Sequence, residues 1–246
     1  METRRAPDWL TTWEYAHRGL HNAKSSGGVP ENSRAAVEAA IAAGMGIECD
    51  IQMSRDHVPL VFHDWELDRL TGEHGKVAAR PADELCRIPL VETAQTIWPL
   101  AELLELVAGR APLLVEVKSR PDFAIAEACI AIAKLLGDYS GPYAVMSFDP
   151  RMGEWFARHA PETPRGLVIT DTLDHGFKSA WRAPHALERA QPDFLACDVR
   201  DIPHAFTRLW RETGRPLLAW TVRSPETRER GLAHADALIA EGAGLA

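Results

Sequence analysis

Short apolar runs recur along the chain, separated by segments of helical period. The runs occupy residues 15–17, 46–51, 113–118, 143–148, 166–169, 194–197, 217–222 and 237–240. Between most of them lie predicted helices. Residues 33–43 (SRAAVEAAIAA) follow an Asn32/Ser33 start signal and stop at Gly44. Residues 100–107 (LAELLELV) end near Gly109, and 122–136, 150–159, 183–190, 202–213 and 225–233 complete the set. Strands alternating with helices predict a parallel sheet. Eight strands followed by helices fit an α/β fold of the (β/α)8 TIM-barrel type better than an open sheet. A further extended run at 58–63 and a turn-rich stretch at 68–77 (DRLTGEHGKV) fall between the second and third barrel strands. A short insertion after strand 2, approximately residues 53–97, is therefore expected. No Gly/Ser-rich linker or composition break marks a boundary, so residues 1–246 are expected to form a single domain.

Composition narrows the picture. With 46% hydrophobic and 25% charged residues, the 246-residue chain has the make-up of a globular protein with ample core. Its formal net charge of −8 and lack of any Lys/Arg block disfavour a nucleic-acid partner, because phosphate backbones require a basic footprint. No stretch approaches the ~18–20 apolar residues of a membrane span. Arg4-Arg5 is followed by Pro7-Asp8-Trp9 rather than an apolar leader segment, so the expected location is cytoplasmic. Four cysteines (Cys49, Cys86, Cys129, Cys197) are widely spaced and read as free thiols in a reducing compartment. Oligomeric state leaves no mark in the sequence, and a homo-oligomer is compatible with it.

Candidate chemistry collects at the strand ends. Glu48 and Asp50 lie two residues apart on one strand and project from the same face. Side by side, two carboxylates repel unless a cation lies between them, which suits a hard divalent metal. The bland alternative is the solvated face of an edge strand. His17-Arg18 follow strand 1, His63-Asp64 end the extra run, and Glu116 and Lys118 close strand 3 with the same two-residue spacing. Ser147 and Phe148 end strand 4, Asp198 follows strand 6, and Trp220 with Arg223 end strand 7. In such barrels, chemistry sits at the C-terminal ends of the strands.

His17-Arg18-Gly19, Pro30-Glu31-Asn32-Ser33, Glu48-x-Asp50 and Pro59-Leu60-Val61-Phe62-His63-Asp64 together resemble the glycerophosphodiester phosphodiesterase family. Leu67-x-Arg69-x-Thr71-Gly72, Glu116-x-Lys118, Ser147-Phe148 and Trp220-Thr221-Val222 follow in the family's order, so the resemblance runs from about Ala16 to Gly242. It implies a PLC-like phosphodiesterase TIM barrel and metal-dependent hydrolysis of glycerophosphodiesters to glycerol 3-phosphate and an alcohol. Carried over residue by residue, Glu48, Asp50 and Glu116 would hold one divalent cation, Mg2+ or Ca2+, with His17 and His63 as the acid–base pair. Arg18 and Lys118 would contact the phosphate, and Trp220, Phe148 and Arg223 would complete the substrate site.

Each assignment has a plainer counterpart. His17 alone reads as a core histidine, and Lys118 as the partner of Glu116. Glu31 and Asn32 read as a helix start that braces the strand 1 loop, with Glu31 within reach of the rim. Trp220 and Phe148 serve equally as packing, and His21, His57, His74 and His175 read as surface. After Trp-Thr-Val the family pattern carries Asn, whereas this chain has Arg223, either a further phosphate or head-group contact or a side chain pointing outward. The insertion has no extended aromatic or apolar stripe, so a small water-soluble substrate is expected, without stable membrane insertion. Alternatives on the same barrel are a lysophospholipase D or a cyclic-phosphate-forming lyase. From another class, a non-catalytic barrel would bind phosphodiesters or a protein.

Overall fold

The computed structural model describes residues 5–22, 28–171 and 181–246. Its strands are β1 (Tyr15–Ala16), β2 (Gly46–Met53), β3 (Pro59–Val61), β4 (Trp98–Pro99), β5 (Leu113–Val117), β6 (Tyr143–Ser147), β7 (Arg165–Ile169), β8 (Phe194–Asp198), β9 (Leu217–Val222) and β10 (Ala237–Ala240). Between them run α1 (Arg34–Ala42), α2 (Ala82–Leu85), α3 (Leu100–Val107), α4 (Ile125–Gly137), α5 (Pro150–His159), α6 (Ala186–Ala190), α7 (Ala205–Glu212) and α8 (Pro225–His234). Hydrogen bonding follows the order β1-β10-β9-β8-β7-β6-β5-β2, and β1 also pairs with β2. This closes an eight-stranded parallel (β/α)8 barrel. β3 and β4 extend it from β2 as antiparallel neighbours.

Local chemistry sets the helix ends. Ser33 caps α1 by accepting from the Ala36 N–H, and Asp149 caps α5 with Pro150 in the first turn. Ser224 and Thr227 form a reciprocal cap on α8.

Two compact units divide the chain. One comprises residues 16–118 and 126–142. In it, all eight residues of β2 are buried, and Glu48, Asp50 and Gln52 alternate with Ile47, Cys49 and Ile51. The strand period of two therefore puts every polar side chain on one face and every apolar one on the other. The insertion carries its own apolar cluster, in which Leu60, Phe62, Leu67, Val77, Leu85, Ile88, Leu90 and Ile97 are buried. The sequence pattern marks the extended run and the turns of this segment but neither α2 nor β4. Each is too short to show a period.

The other unit comprises residues 5–15, 119–125 and 143–246. Its core draws Leu167, Ile169, Leu195, Cys197, Leu217, Ala219 and Leu238 from β7 to β10, with Trp210 of α7. All four cysteines are free thiols, and Cys49, Cys129 and Cys197 are buried. Among the described residues, no helix is long and apolar enough to cross a membrane.

Candidate active site

The site lies in the unit built around β2. Glu48, Asp50 and Glu116 are all buried, and one carboxylate oxygen from each lies within 4.8 Å of the others. Parallel pairing explains the meeting, because Asp50 of β2 is in register with Glu116 of β5. Burial, with the Asp50 and Glu116 charges added, pushes the Glu48 carboxyl well above its usual range, and Arg18 and Lys118 only partly oppose this. For Asp50, burial acts in the same direction, but the charges of Lys118, His63, Arg18 and His17 outweigh it and hold the group well below its usual value.

Lys118 Nζ lies 2.7 Å from Asp50 Oδ1 and 2.6 Å from Glu116 Oε1. The pairing with Glu116 foreseen as the plain reading of Lys118 is thus present, and Asp50 is a second partner. Those carboxylates raise the ammonium above its usual range despite burial.

The His-Arg-Gly segment turns sharply after β1. Arg18 has φ +57° and Gly19 φ +75°. A Cβ at position 19 would stand 2.8 Å from the Ala36 backbone, so only glycine fits against α1. In this turn the Arg18 N–H donates to Glu48 Oε2 at 3.0 Å, and the Gly19 N–H donates to the Glu48 carbonyl at 3.2 Å. His17 is buried, with Nε2 4.0 Å from Glu48 Oε2. Arg18 donates to Glu31 at 2.6 Å and places Nε 3.2 Å from Asp50 Oδ2. That buried Nε makes no hydrogen bond.

Asn32 does more than begin α1. Its Nδ2 donates to Asp50 Oδ2 at 2.8 Å and its Oδ1 accepts from the Asp50 N–H at 3.3 Å, while Trp98 Nε1 donates to its carbonyl at 2.8 Å. His63 follows β3, and its Nδ1 lies 2.6 Å from Asp64 Oδ1. Burial would raise Asp64, but hydrogen bonds from His63 and Arg69 dominate and hold it well below the usual carboxylate range. Asp64 is therefore an acceptor, so Nδ1 of His63 carries the proton. The other ring nitrogen is then an acceptor when the ring is neutral and a donor when it is charged.

Arg69, quoted in the sequence motif but given no role there, forks onto Asp64 (2.6 and 2.9 Å) and onto Glu31 (2.8 and 3.0 Å). Burial works to raise Glu31, but Arg69 and Arg18 bring it down to about 2. Asp64 and Arg69 carry contacts of the site to which their sequence context assigns no role, and Asn32, expected only to start a helix, holds Asp50 as well. The signal for Asp64 and Arg69 is membership in the motifs.

Phe148, Trp220 and Arg223 belong to the other unit. Phe148 follows β6 and meets the Trp220 ring edge-on at 5.4 Å. Trp220 donates through Nε1 to the Ala196 carbonyl. Arg223 is exposed and donates to Glu241 at 2.6 Å. Asp198 accepts from Arg200 and Thr170. His57 and His74 are exposed as expected, His21 is half-buried, and His175 lies outside the described residues.

The three carboxylates fit a hard divalent cation. They offer only oxygen, they are buried together, and burial with the Asp50 and Glu116 charges raises the Glu48 carboxyl against the partial opposition of Arg18 and Lys118. Zinc prefers nitrogen and sulfur donors.

A glycerophosphodiester phosphodiesterase of Bacillus altitudinis is 35% identical over 111 residues, 42% of this chain and 43% of that protein, so the similarity spans less than half of its length. A candidate glycerophosphodiester phosphodiesterase of Bacillus subtilis (strain 168) is 29% identical over 222 residues, 86% of each chain. Among solved structures, an Oleispira antarctica phosphodiesterase in complex with the product sn-glycerol-3-phosphate superposes with a TM-score of 0.78 at 23% identity, covering 93% of this chain and 92% of that one. The profile of the Glycerophosphoryl diester phosphodiesterase family matches residues 17–240. The chain belongs to the glycerophosphoryl diester phosphodiesterase family, a family of hydrolases.

Proposed function

We propose that the protein is a metal-dependent phosphodiesterase that hydrolyses small water-soluble glycerophosphodiesters to glycerol 3-phosphate and an alcohol. The observation that carries this reading is the convergence of Glu48, Asp50 and Glu116, three buried carboxylates from two neighbouring strands. They would hold one Mg2+ or Ca2+, whose chemistry is to neutralise charge on the phosphate oxygens. The glycerol 3-phosphate product bound to the Oleispira antarctica relative agrees with the proposed product class.

The chain's own residues supply the rest. Arg18 presents a planar fork suited to phosphate oxygens, held in place by Glu31 and Asp50. Lys118 adds a point charge beside the same carboxylates. Stabilising the extra charge of a phosphorane-like transition state is worth ~3–4 kcal/mol per donor in a dry site. The leaving alkoxide needs a proton and the nucleophile must lose one. His17 and His63 take these two roles, each commonly contributing about 10²–10⁴-fold.

The test is a panel of glycerophosphodiesters assayed with Mg2+ or Ca2+ and with chelator. Wild-type protein should release glycerol 3-phosphate only with metal, whereas Glu48→Gln and His17→Ala should fold normally and release none. Wild-type turnover in either variant overturns the reading. Phosphorus NMR of the products separates complete hydrolysis from release of a cyclic phosphate.

A further inference from the structure

Within the insertion, Arg69 is half-exposed, yet it is the most heavily bonded cation around the site. Its guanidinium forks onto both oxygens of Asp64 and both oxygens of Glu31. Each carboxylate then has one further partner of its own. Asp64 takes the Nδ1 proton of His63 at 2.6 Å, and Glu31 takes Nη1 of Arg18 at 2.6 Å. The continuous path is His63–Asp64–Arg69–Glu31–Arg18. One end is a candidate proton carrier and the other a candidate phosphate clamp.

We propose that Arg69 is a positioning residue that locks His63 and Arg18 in mutual register through Asp64 and Glu31, so that placement of the insertion governs both proton transfer and phosphate binding. This rests on the function proposed above. Four donor–acceptor pairs in a planar fork fix both carboxylates in direction as well as distance. A lysine keeps the charge but lacks the fork, so charge alone cannot substitute. Asp64 held by Arg69 presents one oxygen to Nδ1, which keeps the imidazole in a single tautomer and orientation. Glu31 held by Arg69 likewise fixes where the Arg18 guanidinium lies. Arg69 touches neither His63 nor Arg18 in this chain of bonds, and its effect passes through two intermediaries.

The experiment is a set of mutant cycles on the full-length protein with glycerophosphocholine and Mg2+, supported by 15N-histidine NMR without substrate. Asp64→Asn should lower kcat and Glu31→Gln should raise KM. Arg69→Gln should do both, each by about 10–100-fold, as for other residues that orient a functional group. Adding Asp64→Asn or Glu31→Gln to Arg69→Gln should cost less than either change costs alone, because all act on one network. Arg69→Lys should not restore activity. In the spectra, the His63 Nδ1–H signal should shift or split into two tautomers in Arg69→Gln. Kinetics within twofold of wild type, additive pairs, full activity in Arg69→Lys, or an unchanged His63 signal would each overturn the proposal. If Arg69→Gln does not fold, Arg69→Lys carries the same cycles. If wild-type protein cleaves no diester, the functional reading fails, and the NMR comparison still judges Arg69.

Discussion

Gly19 and Asn32 show how single residues hold this site together. At φ +75° with the Ala36 backbone 2.8 Å from any added Cβ, position 19 excludes every side chain. Left-handed backbone alone costs an L-residue ~1–2 kcal/mol, and the clash adds to it. Gly19→Ala should therefore lower the unfolding free energy by at least that amount, measured in denaturant. It should also lose activity out of proportion, since Arg18 and Glu48 are bonded through this turn. Asn32 acts more quietly. Its amide holds Asp50 in both directions, one bond to the side chain and one from the backbone. Asn32→Ala should weaken divalent-cation binding about 10–100-fold by calorimetry, the range found for partners of ligating carboxylates. Binding of wild-type strength would exclude Asn32 from that role.

At the scale of elements, the insertion is a small folded body with its own core rather than a loop. Leu67 and Leu85 are fully buried in it, and Thr71 anchors its turn by donating to the Leu67 carbonyl at 2.8 Å. Arg69 lies between Leu67 and Thr71, so this local packing sets where its guanidinium can reach. Leu85→Ala should cost ~2–5 kcal/mol, the range for a buried leucine truncated in a packed core. Because Leu85 touches none of the site's charged groups by hydrogen bond or ion pair, its loss should be seen in chemical unfolding first. A variant as stable as wild type would show that the insertion core carries little of the fold.

For the whole molecule, the charged network links stability to pH and to metal. Glu31 falls from its ordinary 4.5 to about 2 when folded. A depressed carboxyl contributes stability that is complete above its unfolded value and vanishes as pH falls through the folded one. Wild-type protein should thus exceed Glu31→Gln in Tm at neutral pH, with the gap closing between about pH 4.5 and 2. A gap constant across that window would refute the assigned shift. Glu48 acts with the opposite sign. Burial, with the Asp50 and Glu116 charges, raises its carboxyl, so its ionisation opposes folding until a cation offsets that cost. Added Mg2+ or Ca2+ should raise Tm, with about 2.7 kcal/mol of stabilisation at a hundredfold excess over Kd, and chelator should reverse it. Glu48→Gln should abolish most of that response.

What the sequence by itself determined is the order of elements and the identity of the main chemical groups. Apolar runs alternating with helical segments are a local signal, and β2, β5, β6 and β9 lie within a residue or two of their expected bounds. Glu48-x-Asp50 and Glu116-x-Lys118 each declare a shared face because strand period is also local. Tertiary structure alone decided which groups meet. Register between β2 and β5 sets Asp50 beside Glu116, and the single carboxylate of Glu31 joins Arg69 to Arg18, residues far apart along the chain. Such contacts depend on how separate strands align and how an insertion packs, and no periodicity along the chain encodes either. That is why the bonds of Arg69, Asp64 and Asn32 to the site belong to the tertiary structure alone.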